Sequence, residues 1–286
     1  FLFGQRRDTS FAVHEIQASG ALSAPLQTGV LEHWYPVVAS YSIGARGFVL
    51  CHRESFGYAI LEIREDGSPK LVARGDLGAH DPVCLPFTSA SGQGCLFQAA
   101  DRSYKTVRID AAGQLTALRT GTFGDVSCPV MALVKVRSKS FVLGHEPTGN
   151  RYLVGEVLDT GEVQSRPGGT WTAFHPTLFP YQVGDRAFVL AQTAGRAWKI
   201  VEVSESGAPS AVDADNGTMR NAYRAWLPVV LNGTPHVLGF ADPGVSERAP
   251  VSTTTWTLQR LLDDGSLEGQ IGEGKLADQA DTTCVY

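Results

Sequence analysis

The feature that most constrains this chain is that it repeats itself. A short apolar triplet recurs as Phe1-Leu2-Phe3, Phe48-Val49-Leu50, Cys95-Leu96-Phe97, Phe141-Val142-Leu143, Phe188-Val189-Leu190 and His236-Val237-Leu238, at steps of 47, 47, 46, 47 and 48 residues. An aromatic-led segment follows each triplet, opening at Phe11, Tyr58, Tyr104, Tyr152, Trp198 and Trp256. Each segment then reaches a glycine: Gly20, Gly67, Gly113, Gly161, Gly207 and Gly265. A fixed period of this length marks one supersecondary unit stacked several times, because such a unit cannot bury its apolar face alone.

Within each unit the apolar or alternating runs are short and are separated by Gly, Asp, Ser and Pro, which argues strands rather than helices. No stretch keeps a 3.6-residue apolar period over ten or more residues. Glu65-Asp66-Gly67, Asp263-Asp264-Gly265 and Asn232-Gly233 supply the positive-φ positions that tight hairpin turns require. Four strands in each unit of this size resemble one blade of a β-propeller, and six units imply six four-stranded antiparallel blades. The expected fold is therefore all-β, a single six-bladed propeller domain over residues 1–286. A solenoid is the competing architecture, but it needs capping units at its ends and none is visible. The chain opens at the second strand of its unit and closes with Asp281–Tyr286, where other units place their first strand. Thr282–Tyr286 is thus expected to pair with the strand beginning at Phe1 and close the ring.

A formal net charge of −5 and scattered arginines speak against nucleic acid as a partner. No apolar span approaches twenty residues, so no membrane-crossing helix is expected. A chain opening on Phe1 fits either a removed leader or a shortened chain. Five cysteines (Cys51, Cys84, Cys95, Cys128 and Cys284) cannot all pair. Cys84 and Cys95 lie on two arms of one predicted hairpin, either as a disulfide or as small buried strand residues. The sequons at Asn216 and Asn232 point towards secretion, although Asn232-Gly233 also has a complete explanation as a hairpin turn.

The propeller resemblance implies one face on which two loop sets meet, and in propellers this face generally carries the ligand. The loops entering each blade's first strand hold His33, Trp34 and Tyr35; His80 and Asp81; Cys128; His175; Tyr223, Arg224 and Trp226; and Thr283. Those joining second and third strands hold His52, Arg53 and Glu54; Arg102; His145; and an enlarged loop from Ala241 to Thr255, a lid or a tolerated insertion. Five of the seven histidines fall in these loops. His33, His80, Asp81, His175 and Arg224 are the candidate catalytic groups, since imidazole titrates near neutrality beside carboxylates and cations. The others are candidate ligand contacts, with Trp34, Tyr35, Tyr223 and Trp226 offering faces for a sugar ring or flat substrate. Taken singly, each histidine also reads as a strand-end residue bonding a loop, and each aromatic as core. Imidazoles are metal ligands too, but His33, His80 and His175 precede their strands by different offsets, so no metal is expected. No Gly-rich phosphate loop is present, so no nucleotide cofactor is expected either.

Three function classes fit: an enzyme with one pocket, a lectin with repeated sugar sites, or a scaffold for protein partners. A repeat lectin needs the same polar residues in most units. The position two residues after the triplet is partly of that kind, as Gln5, His52, Ala99, His145, Gln192 and Phe240. The rim residues differ between units, as one asymmetric site requires. The reading is a small-molecule enzyme of lyase, cyclase or hydrolase type acting at the histidine-rich face on an organic molecule or sugar, with a lectin or scaffold as the alternatives. The superfold itself implies no particular activity.

Overall fold

The computed structural model describes residues 1–79, 81–124, 128–219, 223–241, 254–276 and 281–285, with the backbone alone at 224, 254, 276 and 282. The first strands in the chain are β1 (Leu2–Gln5), β2 (Ser10–Ile16) and β3 (Leu22–Val30). The second blade is β4 (Val37–Ile43), β5 (Arg46–His52), β6 (Gly57–Ile63) and β7 (Pro69–Asp76). The third is β8 (Val83–Ser89), β9 (Gly92–Gln98), β10 (Ser103–Ile109) and β11 (Leu115–Thr122). The fourth is β12 (Val130–Val136), β13 (Lys139–His145), β14 (Arg151–Val157) and β15 (Val163–Thr170). The fifth is β16 (Thr177–Val183), β17 (Arg186–Gln192), β18 (Ala197–Val203) and β19 (Pro209–Thr218). The sixth is β20 (Tyr223–Leu231), β21 (Thr234–Ala241), β22 (Thr254–Leu261) and β23 (Leu267–Leu276), and β24 (Thr282–Val285) follows. Every sheet is four-stranded and antiparallel, and β24 joins the first blade in the order β24-β1-β2-β3. Its register sets Leu2 against Val285 and Gln5 against Thr282, the expected ring closure; Tyr286 lies outside the described residues. The innermost strands β24, β4, β8, β12, β16 and β20 each touch the next, and β20 returns to β24. The chain is a six-bladed β-propeller.

The repeat is the physical signature of this ring. Second strands lie between two neighbouring blades and are buried along most of their length, as in β17 and β21. That is why they read as unbroken apolar runs, each large side chain contributing roughly 1.5–3 kcal/mol on burial. The third-strand aromatic stands opposite a glycine of the outer strand in all six blades: Phe11–Gly29, Tyr58–Gly75, Tyr104–Gly121, Tyr152–Gly169, Trp198–Gly217 and Trp256–Gly274. A Cβ on Gly121 would stand 2.6 Å from the Tyr104 ring, so the bare glycine is what lets the ring lie flat on the sheet. The turn glycines are as expected. Gly265 has φ +88° and packs on the preceding blade, where a Cβ would meet Phe188 at 2.2 Å. Asn232 and Gly233 both have positive φ and make the tight turn between β20 and β21.

One repeat position is corrected by the register. Phe48 faces Tyr41, Phe141 faces Val134 and Phe188 faces Tyr181, while in the third blade it is Gly94, not Cys95, that faces Phe87. A Cβ on Gly94 would stand 2.4 Å from the Phe87 ring, so a glycine replaces the triplet's first apolar residue and hides it from a hydrophobicity reading. The repeated polar position of that blade is therefore Gln98 rather than Ala99. It reads Gln5, His52, Gln98, His145, Gln192 and Phe240, polar in five blades out of six.

Candidate functional site

The first strands converge on a cavity of about 580 Å³ at one mouth of the channel. Four blades present the same wall: Pro36-Val37-Val38, Pro82-Val83-Cys84, Pro129-Val130-Met131 and Pro176-Thr177-Leu178. Proline immediately before a strand gives up no ladder hydrogen bond and holds the preceding residue extended. Phe179 of β16, Ala225 and Trp226 of β20, and Asp281 and Thr283 beside β1 complete the lining. Of the expected ligand contacts, Trp226 and Thr283 line this cavity. Asp281, a carboxylate the sequence reading passed over, lines it too. Its Oδ2 accepts the Arg7 N–H (2.9 Å) and its own N–H donates to the Gln5 carbonyl (2.8 Å), which fixes it on the wall.

Behind the prolines lies a second layer, and the repeated polar position belongs to it. These side chains are buried, from 0% exposed at Gln5, His52 and His145 to 4% at Gln98. In four of the blades the side chain accepts a backbone N–H from the approach to the next blade. Gln5 Oε1 accepts from Tyr35 (3.2 Å), and its Nε2 donates to the His33 carbonyl (2.7 Å). His52 Nε2 accepts from Asp81 (3.1 Å) while its Nδ1 donates to the Gly57 carbonyl (3.2 Å). His145 Nδ1 accepts from His175 (3.2 Å), and Gln192 Oε1 accepts from Tyr223 (3.4 Å) and the Trp226 indole (3.2 Å). Gln and His serve alike because each offers a buried acceptor of similar reach. His52 and His145 therefore tie blades together, and an imidazole so engaged is neutral.

Two polar nests occupy this layer. Between the second and third blades, Asp81 is 2% exposed and pairs with Lys105 at 2.5 Å; Lys105 also donates to the Leu77 carbonyl (2.8 Å) and lies over the Phe97 ring. Between the fourth and fifth, the His145 and His175 rings stack at 5.5 Å, with Trp171 edge-on to both. Lys199 sits 4.3 Å over Trp171. Nε2 of His145 and Nδ1 of His175 are buried with no hydrogen-bond partner among the described residues. Burial, with Lys199 and His145 adding repulsion, pulls the His175 pKa down to about 4. Burial lowers those of His145 and Lys199 as well. Lys105 and Lys199 each follow the third-strand aromatic and so share one place in the repeat, a signal available in the sequence and not used.

The remaining candidates are dispersed. His33 is half-exposed at the rim, 3.5 Å from Glu32, which also pairs with Arg74 (3.1 Å). Trp34 is partly exposed beside it, and Tyr35 is buried between the first two blades. Arg53 lies over Gly57, Glu54 is exposed, and Arg102 holds the positive-φ corner of its turn. Cys128 is buried against Gly144, and burial pushes its thiol up to about 12. Tyr223 and Trp226 pack together at 4.2 Å. Glu146 pairs with Arg151 while its neighbour His145 turns to His175, so sequence adjacency makes no dyad there. His80, the Arg224 side chain and most of the long sixth-blade loop, 242–253, lie outside the described residues. Among the described residues no group of three His, Cys, Asp or Glu is placed to hold a metal ion. Among the described residues no helix is long and apolar enough to cross a membrane.

No family model matches the sequence, and no curated protein matches it. Solved propeller structures do match its fold. A 6-phosphogluconolactonase candidate from Bacteroides fragilis superposes with a TM-score of 0.61 at 10% identity, over 99% of this chain and 96% of its own. A second such candidate, from Bacteroides uniformis, gives 0.60 at 11% identity over 96% and 83%. The periplasmic gluconolactonase of Pseudomonas aeruginosa gives 0.59 at 11% identity over 96% of both chains. At these identities the likeness is one of fold.

Proposed function

We propose that this propeller is a hydrolase-type enzyme acting on a small sugar-derived molecule, such as a sugar lactone, at the channel mouth. The observation that carries the reading is the asymmetry of the 580 Å³ cavity: the repeated wall of prolines and valines is broken on one side by Asp281, Thr283 and Trp226. A single small substrate fits such a site. The lectin alternative loses its main support, because the one repeated polar position is engaged in ties between blades. The lactonase neighbours favour a hydrolase over a lyase or cyclase, and the periplasmic one favours a location outside the cytoplasm.

In this reading Asp281 acts as general base. It takes a proton from water as the water oxygen bonds to the lactone carbonyl carbon. The ring C–O bond then breaks, and the proton passes to the departing alkoxide to give the hydroxy acid. Trp226 supplies an apolar face for the sugar ring, and Thr283 a hydroxyl. His80 and Arg224 remain candidates for a second polar contact by their positions in sequence. The test is turnover of D-glucono-1,5-lactone and its 6-phosphate above the spontaneous rate. Asp281→Asn is expected to lower kcat by about 10²–10⁴-fold, the usual range for a general base. No rate above background with either lactone, or an Asp281→Asn variant as active as its parent, overturns the proposal.

A further inference from the structure

The two polar nests behind the prolines are built on the same repeat positions, with one exchange. In each, a histidine accepts the backbone N–H of the residue before the next blade's proline, His52 from Asp81 and His145 from His175. In each, a lysine follows the third-strand aromatic, Lys105 after Tyr104 and Lys199 after Trp198. The residue after the outer strand is Leu77 in one and Trp171 in the other, donating its N–H to the turn carbonyl of Phe56 or Asn150. In the first nest the residue before the proline is an aspartate, and its buried carboxylate neutralises Lys105 at 2.5 Å. In the second the same place holds His175, so the repeat offers Lys199 no carboxylate there.

The second nest is therefore rich in donors. His145 accepts at Nδ1, so its neutral ring carries the proton on Nε2, which is buried with no hydrogen-bond partner among the described residues. His175 Nδ1 is buried without a partner as well. The backbone of Asn150 approaches His145 and that of Ala173 approaches His175, but neither makes a hydrogen bond to these nitrogens. Lys199 is half-buried and makes no ion pair among the described residues; Asp213 of β19 attracts it from an exposed position without pairing. Trp171 gathers all three groups, its ring 4.7 Å from His145, 5.2 Å from His175 and 4.3 Å from Lys199. Donors drawn out of water without an acceptor are costly, and an anionic oxygen among them gains charge-assisted hydrogen bonds.

We propose that the seam between the fourth and fifth blades binds the carboxylate of a small organic acid, held by Lys199 and the imidazoles of His145 and His175 in the place that Asp81 fills in the other nest. The inference does not depend on the lactonase reading, and its readout is binding rather than turnover. The probe is sodium acetate, titrated at pH 7 into the full chain labelled with nitrogen-15 histidine, with sodium chloride holding the ionic strength constant. The imidazole resonances of His145 and His175 should shift together along one saturable curve. Lys199→Met should weaken binding at least tenfold. His175→Asp should fold, because Asp81 already occupies this repeat position beside a histidine tie. It should also abolish acetate binding, its own carboxylate pairing with Lys199 as Asp81 pairs with Lys105; His145 is the reporter in that variant. If Lys199→Met does not fold, His175→Asp decides the matter. No saturable shift, acetate binding as strong in Lys199→Met as in the parent, or undiminished binding in His175→Asp overturns the proposal.

Discussion

His145 Nδ1 accepts the backbone N–H of His175 at 3.2 Å across the seam between the fourth and fifth blades, and the two rings stack behind Pro176. The arrangement holds only while His145 carries no proton on that nitrogen. It makes one seam of the ring sensitive to pH.

Acid should therefore loosen the protein in a defined window. His175 has a native pKa of about 4, against about 6.5 in an unfolded chain. Between those values the unfolded chain binds a proton that the native state refuses, so stability falls as pH drops from about 6.5 and levels off below about 4. The full loss is on the order of 3 kcal/mol. Urea unfolding across this range should show the slope in the parent and a flatter profile in His175→Phe. Equal slopes would rule out the assignment.

The interblade ties predict an unusual tolerance. His145→Gln places the residue that Gln5, Gln98 and Gln192 already use at this position, so it should fold with little loss. His145→Leu leaves the buried His175 N–H unpaired and should cost about 1–3 kcal/mol. Gln5→Leu orphans both the Tyr35 N–H and the His33 carbonyl and should cost more. Chemical denaturation ranks the three; a Gln variant as damaged as the Leu variant would show that ring packing, not the acceptor, is what matters.

Cys84 and Cys95 are both free thiols, with sulfurs 3.2 Å apart across β8 and β9. Cys84 lines the channel mouth. Diamide, which takes up the two thiol hydrogens, should join them without unfolding the protein, because only a small approach of the sulfurs is needed. Mass spectrometry of a digest should find that one crosslink and leave Cys51 and Cys128 reduced. A crosslink involving Cys51 instead would contradict the geometry.

Much of the fold was legible because its repeated parts are chemically loud. Phenylalanine or leucine in a buried second strand and glycine at a positive-φ turn leave marks in any single unit. The quieter marks were harder to see. Gly94 replaces a large residue to admit the Phe87 ring, which shifted the reading of the third unit by one and concealed Gln98. The ties made by His52 and His145 join residues about thirty positions apart, and no local pattern shows that a histidine will face a backbone N–H of the next blade. Clustering in the loops drew attention to one face, yet it did not separate the channel wall from the layer behind it. Asp81 and His175 precede prolines that line the cavity, and they are themselves buried between blades. Asp281 escaped notice because it stands where four other blades carry the proline before their first strand, at Pro36, Pro82, Pro129 and Pro176.

The central claim is one asymmetric site per chain at the channel mouth. The most direct test is calorimetric titration with the lactam analogue of D-gluconolactone, whose amide resists the proposed hydrolysis. The account predicts a single site per chain, weakened at least tenfold by Asp281→Ala or Trp226→Ala. Several equivalent sites, or no binding at all, would contradict it.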